Sequence, residues 1–200
     1  MVMKLTRRAW MASALTAVAL ATTACSPAAS DQDADTSIPA ATEAGAGMDE
    51  LAALDAEELI AALERAPLDE RREDLMASVQ PDRVVLTTAN GQAEIPIPEG
   101  QHYLSIAPFV TSTHECYYHS LTTCTGELGG AEIALRIVDD QTGEVYIDQT
   151  APLEDNGFTG VWLPTDITAT VTVTSDHGTG HTQIATGDDA LTCLTSLQLT

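Results

Sequence analysis

The sequence predicts an α+β protein: an N-terminal helical hairpin followed by a mainly antiparallel β domain, folded as a sandwich or open barrel. Three observations carry that expectation. Apolar residues recur at helical spacing after Met48. Short alternating stretches separated by turn residues fill the chain after Pro81, and Asn90-Gly91 marks a tight hairpin turn between two of them.

The first residues read as an export signal rather than structure. Lys4, Arg7 and Arg8 form a positive start, and Ala9 to Ala21 a short apolar stretch that falls below the length of a membrane-spanning helix. Residues 1–24 are therefore expected to be a signal peptide. Thr22-Thr23-Ala24-Cys25-Ser26 resembles a bacterial lipoprotein cleavage box, with Thr22 where that pattern prefers Leu. It makes Cys25 the expected lipidation site. Thr6-Arg7-Arg8-Ala9-Trp10-Met11 also looks like a twin-arginine signal, so the export route stays open between that pathway and the general one. Residues 25–47 hold Ala, Ser, Thr, Asp and Pro with neither an aromatic nor a basic residue, and read as a lipid-anchored, disordered tether.

Residues 48–100 are expected to form a helical hairpin plus a β-hairpin. Leu51, Leu54, Leu59, Ile60 and Leu63 make the apolar stripe of the first helix, and Asp55-Ala56-Glu57-Glu58 has the form of a capping box. Pro67 stops that helix, and Leu68 to Val79 is read as the second. Val84 to Thr87 and Ala93 to Ile97 flank Asn90-Gly91. Residues 101–200 are expected to be a β domain carrying the site. Its strands are read at Tyr103 to Val110, Ala131 to Val138, Glu144 to Gln149, Gly160 to Leu163, Ile167 to Thr174, Thr182 to Ala185 and Leu194 to Leu199.

The chain has 30 acidic residues, all after Cys25, against 8 basic ones, for a formal charge of −22. Past Cys25 only Arg65, Arg71, Arg72, Arg83 and Arg136 remain positive. That balance argues against nucleic acid and against a basic patch on anionic lipid. No nucleophile elbow, phosphate-binding glycine loop or hydrolase triad is present.

Chemistry concentrates in one segment, His114-Glu115-Cys116-Tyr117-Tyr118-His119-Ser120-Leu121-Thr122-Thr123-Cys124. Cys193 follows far downstream. With Cys25 carrying lipid, three cysteines remain, so in an oxidising compartment at least one thiol stays outside any intramolecular disulfide. A plain disulfide, Cys116 with Cys124 or either with Cys193, beside a buried free thiol is one reading. Zinc is another, but the paired Cys-x-x-Cys spacing common in its sites is absent. Thiolates without that spacing suit Cu(I), and imidazoles can also hold Cu(II). The expected ligands are Cys116, Cys124 and Cys193 with His114 and His119. His177 and His181 are turn histidines or auxiliary ligands, and His102 is structural. Cys116 and Cys124, eight positions apart, can bring their sulfurs together within one loop, whereas the fold must deliver Cys193.

The same segment, followed by Gly126-Glu127-Leu128 and by the late Thr192-Cys193-Leu194 with Leu197-Gln198-Leu199, resembles the CueP family of periplasmic copper-binding proteins. The resemblance runs from about Met48 to Thr200. It implies an exported protein that sequesters Cu(I) for copper resistance, with handover to an extracytoplasmic enzyme such as superoxide dismutase. Its three family cysteines correspond to Cys116, Cys124 and Cys193. Gram-negative members are periplasmic, and the expected lipid anchor to the cell membrane departs from them. A redox version has two thiols each give one electron to a Cu(II) ion, leaving a disulfide. Without an outside reductant that reaction is stoichiometric, so the chain is not expected to be an enzyme. A homodimer is left open. The alternatives are a thiol–disulfide redox protein, which lacks the usual CxxC at a helix start, and a disulfide-bonded structural lipoprotein without metal.

Overall fold

The computed structural model describes residues 47–200; the expected signal peptide, Cys25 and nearly all of the expected tether lie outside them. Two helical pieces come first, α1 (Met48–Leu51) and α2 (Ala56–Glu64). The break between them is made by Asp55, whose extended backbone and side-chain oxygen cap α2 through the Glu58 N–H at 2.8 Å. Leu59 and Ile60 bury the inner face of α2 almost completely, worth roughly 2 kcal/mol each.

The expected helical hairpin is absent. Leu68–Glu70 forms a single 3-10 turn, and the stretch read as the second helix ends in a strand, β1 (Met76–Val79). The reason is period: Ala77 and Val79 are fully buried while Met76 faces solvent, an alternation that a strand satisfies and a helix does not. β1 pairs antiparallel with β2 (Arg83–Thr88), which pairs with β3 (Gly91–Pro96); the turn between them is Ala89-Asn90, one residue before the expected Asn90-Gly91, and Gly91 opens β3 opposite Thr88. These three strands form one sheet, and its buried Ala77, Val79, Val84, Leu86 and Ile95 share a core with α2.

The remaining strands are β4 (Gln101–Ile106), β5 (Glu132–Asp139), β6 (Val145–Pro152), β7 (Thr159–Pro164), β8 (Thr168–Ser175), β9 (Gly178–Ala185) and the two-residue β10 (Cys193–Leu194). They make a three-stranded sheet in the order β10-β4-β7 and a four-stranded sheet in the order β6-β5-β8-β9. All three sheets are open, so the structure is not a barrel. Leu104, Ile106, Val161 and Leu163 of one sheet and Ile133, Leu135, Ile137, Val171 and Val173 of another fill a common core.

β4 is buried from His102 onward on both faces. Leu104 and Ile106 face the larger core, whereas Tyr103 belongs to the core under α2. The expected strand to Val110 stops at Ile106. The stretch expected as a strand from Leu194 to Leu199 keeps one residue in β10, which pairs parallel with β4 through Cys193 opposite Ser105, and one bridge of Gln198 to Phe109. The β8–β9 turn is Asp176-His177, and both glycines near it lie in β9, Gly178 as its first residue with φ +129°. A Cβ on Gly180 would stand 2.3 Å from the Gln198 carbonyl oxygen, so that glycine lets the 197–200 segment pack close.

Candidate metal centre

The chemically dense segment lies in the long connection from β4 to β5, and backbone pairing holds it on two sides. The Glu127 carboxylate accepts from the backbone N–H groups of Val110, Thr111 and Ser112 at 2.7, 3.0 and 3.3 Å. Those bonds hold its pKa down at about 2, with the Thr111 hydroxyl contributing most. Farther along, the Tyr117 carbonyl accepts from Thr192 N–H at 2.9 Å and Cys193 N–H at 3.2 Å, which seats Cys193 against the loop. On the other side Val79 N–H donates to the His119 carbonyl and Leu121 N–H to the Ala77 carbonyl, so residues 119–121 extend the edge of β1. Thr192 joins the two sides: its hydroxyl accepts from His119 N–H at 2.9 Å and donates to the Val79 carbonyl at 2.6 Å.

This frame brings four of the expected ligands together. The sulfurs of Cys116, Cys124 and Cys193 and a ring nitrogen of His119 all lie within 4.8 Å of one another. His119 and Cys193 are fully buried, Cys124 nearly so, and Cys116 partly exposed. Cys116 and Cys193 are joined as a disulfide with a Cα–Cα separation of 5.6 Å, and Cys124 is the free thiol. The distant cysteine, not the loop neighbour, is thus the bonded partner. Cys124 Sγ still stands 3.5 Å from Cys116 Sγ. His119 Nδ1 is 3.6 Å from Cys193 Sγ, and the buried Phe158 ring packs on the imidazole at a centroid distance of 4.6 Å.

His114 stands outside the four-residue cluster, exposed, with its ring edge-on to Phe158 at a centroid distance of 6.3 Å. An open groove of about 360 Å³ lies over the disulfide, with Thr113, His114, Glu115 and Leu191 around the two bonded cysteines. His177 and His181 lie on the β8–β9 hairpin as exposed residues outside the cluster. His102 is buried with Nε2–H donating to the Leu191 carbonyl at 3.0 Å, which steadies the approach to Cys193. Tyr117 and Tyr118 are exposed, stacked edge to face, and Tyr117 OH donates to the Asp189 carbonyl.

Sequence reasoning missed Glu64, the last residue of α2. It is 4% exposed, and its carboxylate accepts from His119 Nε2 at 2.9 Å, Asn156 Nδ2 at 3.0 Å and Ser105 Oγ at 3.3 Å. The available signal was a carboxylate four residues after Ile60, on the buried stripe of an amphipathic helix. Arg71 was missed as well; its guanidinium donates to the Cys124 carbonyl at 2.7 Å.

The charges are tightly coupled. Burial opposes a charge on His119, yet Glu64 and the Cys124 sulfur raise its pKa to about 9. Burial likewise opposes the Cys124 thiolate, but hydrogen bonding and charge from His119 lower its pKa to about 7. At neutral pH the centre therefore holds a carboxylate, an imidazolium and a thiol near half-ionisation. Reduction of the disulfide would give three thiols and an imidazole in one small volume, a donor set suited to a soft, thiophilic ion. Metal binding there must displace protons from Cys124 and from His119 Nδ1.

A family model described as periplasmic copper-binding protein CueP matches residues 58–198. The fold is similar to that of a solved structure titled as the crystal structure of S.CueP. The two share 30% sequence identity and a TM-score of 0.69, over 74% of this chain and 90% of that one. No curated protein matches the chain.

Proposed function

The chain belongs to the CueP family of periplasmic copper-binding proteins, and from that premise we propose that it sequesters Cu(I) outside the cytoplasm, with Cys116, Cys124, Cys193 and His119 as ligands and His114 at the rim. The observation that carries this reading is the convergence of three sulfurs and one imidazole nitrogen within 4.8 Å. Thiolates select Cu(I), and an imidazole lets the same site meet Cu(II) first. The groove over Cys116 and Cys193 is the approach for the ion or for a thiol reductant.

A redox step is part of the proposal. The reduced Cys116 and Cys193 thiols give one electron to each of two Cu(II) ions, forming the disulfide and releasing two Cu(I) ions and two protons. Cys124 and His119 stay free to hold one Cu(I). The reaction is stoichiometric unless an external thiol reduces the disulfide again, so it is not enzymatic by itself. Handover of Cu(I) to an extracytoplasmic copper enzyme would complete a resistance role.

The test is a competition titration of the fully reduced domain. Cu(I) should not be displaced by a large excess of Zn(II), and Cys116→Ser, Cys124→Ser or Cys193→Ser should each weaken Cu(I) binding at least tenfold. Zinc displacing Cu(I), or Cys193→Ser binding like wild type, would overturn the assigned ligand set. Adding Cu(II) to the reduced protein should yield chelatable Cu(I) with loss of two thiols per molecule. Stable Cu(II) binding with all three thiols titratable would remove the redox step alone.

A further inference from the structure

Glu64 reaches the centre from a different part of the fold than any ligand. It closes α2, which packs on the β1-β2-β3 sheet, while the ligands come from the β4–β5 connection and β10. A buried ion pair is expensive, and a well-packed apolar residue on the same stripe would usually serve stability as well or better. Yet the carboxylate is closely fitted. Oε1 accepts from Asn156 Nδ2 and Ser105 Oγ, while Oε2 accepts from His119 Nε2 and lies 3.4 Å from the Tyr103 hydroxyl. Tyr103 is itself buried, and Asn156 is fully buried with its Oδ1 accepting from Phe158 N–H at 2.9 Å. The carboxylate is thus held from several sides, and one of its oxygens is aimed along the imidazole ring.

We propose that Glu64 is a positioning residue for copper: it keeps the His119 proton on Nε2, so that the Nδ1 lone pair faces the three sulfurs. The proposal rests on the reading of the cluster as a copper site. A carboxylate behind a ligating imidazole fixes the tautomer and ring orientation, and it makes the ligating nitrogen a stronger donor. Its negative charge also favours the doubly charged ion over the singly charged one. Glu64 therefore helps the thiol site receive Cu(II) without changing its preference for holding Cu(I) through sulfur.

Glu64→Gln, close to isosteric, should weaken Cu(II) binding about tenfold or more in the oxidised protein, where the Cys116–Cys193 disulfide leaves no thiol pair to reduce the ion, with a clearly smaller loss for Cu(I) bound by the reduced protein. Glu64→Asp should recover part of the Cu(II) affinity. Equal losses for both ions would mark Glu64 as merely structural and overturn the proposal. Wild-type protein gives a second test that no folding defect can obscure. With Cu(I) bound, the ¹⁵N shifts of the His119 ring should place the metal on Nδ1 and the proton on Nε2. Metal on Nε2, or a freely exchanging tautomer, would overturn it. His119→Gln separates this proposal from the wider reading. If that variant loses copper affinity while Glu64→Gln binds like wild type, the positioning role fails and the copper site stands. If His119→Gln binds both ions like wild type, His119 is not a ligand and the positioning role falls with it.

Discussion

Cys124 sits between opposing forces, and their balance sets how it reacts. Burial alone would push its pKa above the usual thiol value of 9.0, but hydrogen bonding and charge from His119 bring it to about 7. The thiolate should therefore appear as pH rises through about 7, which the ultraviolet absorbance of the thiolate would follow in metal-free protein with the Cys116–Cys193 bond intact. Replacing His119 by Gln removes the largest stabilising influence, so the titration should move up towards 9 or beyond. A midpoint unchanged in that variant would show that His119 does not control the thiol. At this scale the sequence was readable where residue types were rare. The His114–Cys124 segment and Cys193 stood out because soft ligands are scarce in the chain, and four of the five principal candidate ligands meet in space. Glu64 did not stand out: it is one of 30 acidic residues, and only burial distinguishes it from its neighbours.

Among the elements, the informative departure is β1. Leu68 to Val79 reads as a helix, but Ala77 and Val79 need the core beside Val84 and Leu86, and pairing with β2 decides the outcome. β10 is the other case. Two residues paired parallel to β4 carry too little pattern to be read as a strand, yet they place Cys193. Thr192 couples these two inconspicuous elements, because its hydroxyl joins His119 N–H to the Val79 carbonyl from a fully buried position. Thr192→Val keeps the shape and leaves a donor and an acceptor unpaired. It should lower the unfolding free energy by about 2 kcal/mol, measured by chemical denaturation of the oxidised protein. A loss within about 0.5 kcal/mol of zero would show that the two elements are held together by packing alone. By contrast, the β2–β3 hairpin was legible to within one residue, because a tight turn demands particular residues, here Asn90 in the turn and Gly91 at the start of β3.

For the whole molecule, the acidic surface and the family membership agree with an extracytoplasmic metal carrier, and no helix among the described residues is long and apolar enough to cross a membrane. The resemblance of Thr22–Ser26 to a lipoprotein cleavage box makes acylation of Cys25 a proposal that a single substitution tests. Cys25→Ala should move the protein from the membrane to the soluble fraction, or leave its signal uncleaved, and should lower the mass of the mature form by the missing lipid. Unchanged fractionation and mass would remove the anchor. The open sheets were only partly legible, because sequence gives strand positions more readily than which edges stay unpaired. The disulfide partner is a separate matter of distance along the chain, for Cys116 is bonded to a cysteine 77 positions later while Cys124 waits eight positions away. Translated into time, this means that a ribosome delivers the near thiol well before the far one. Any chain that meets an oxidant early can close the wrong ring, so export after folding and export during synthesis would expose the newborn protein to very different risks.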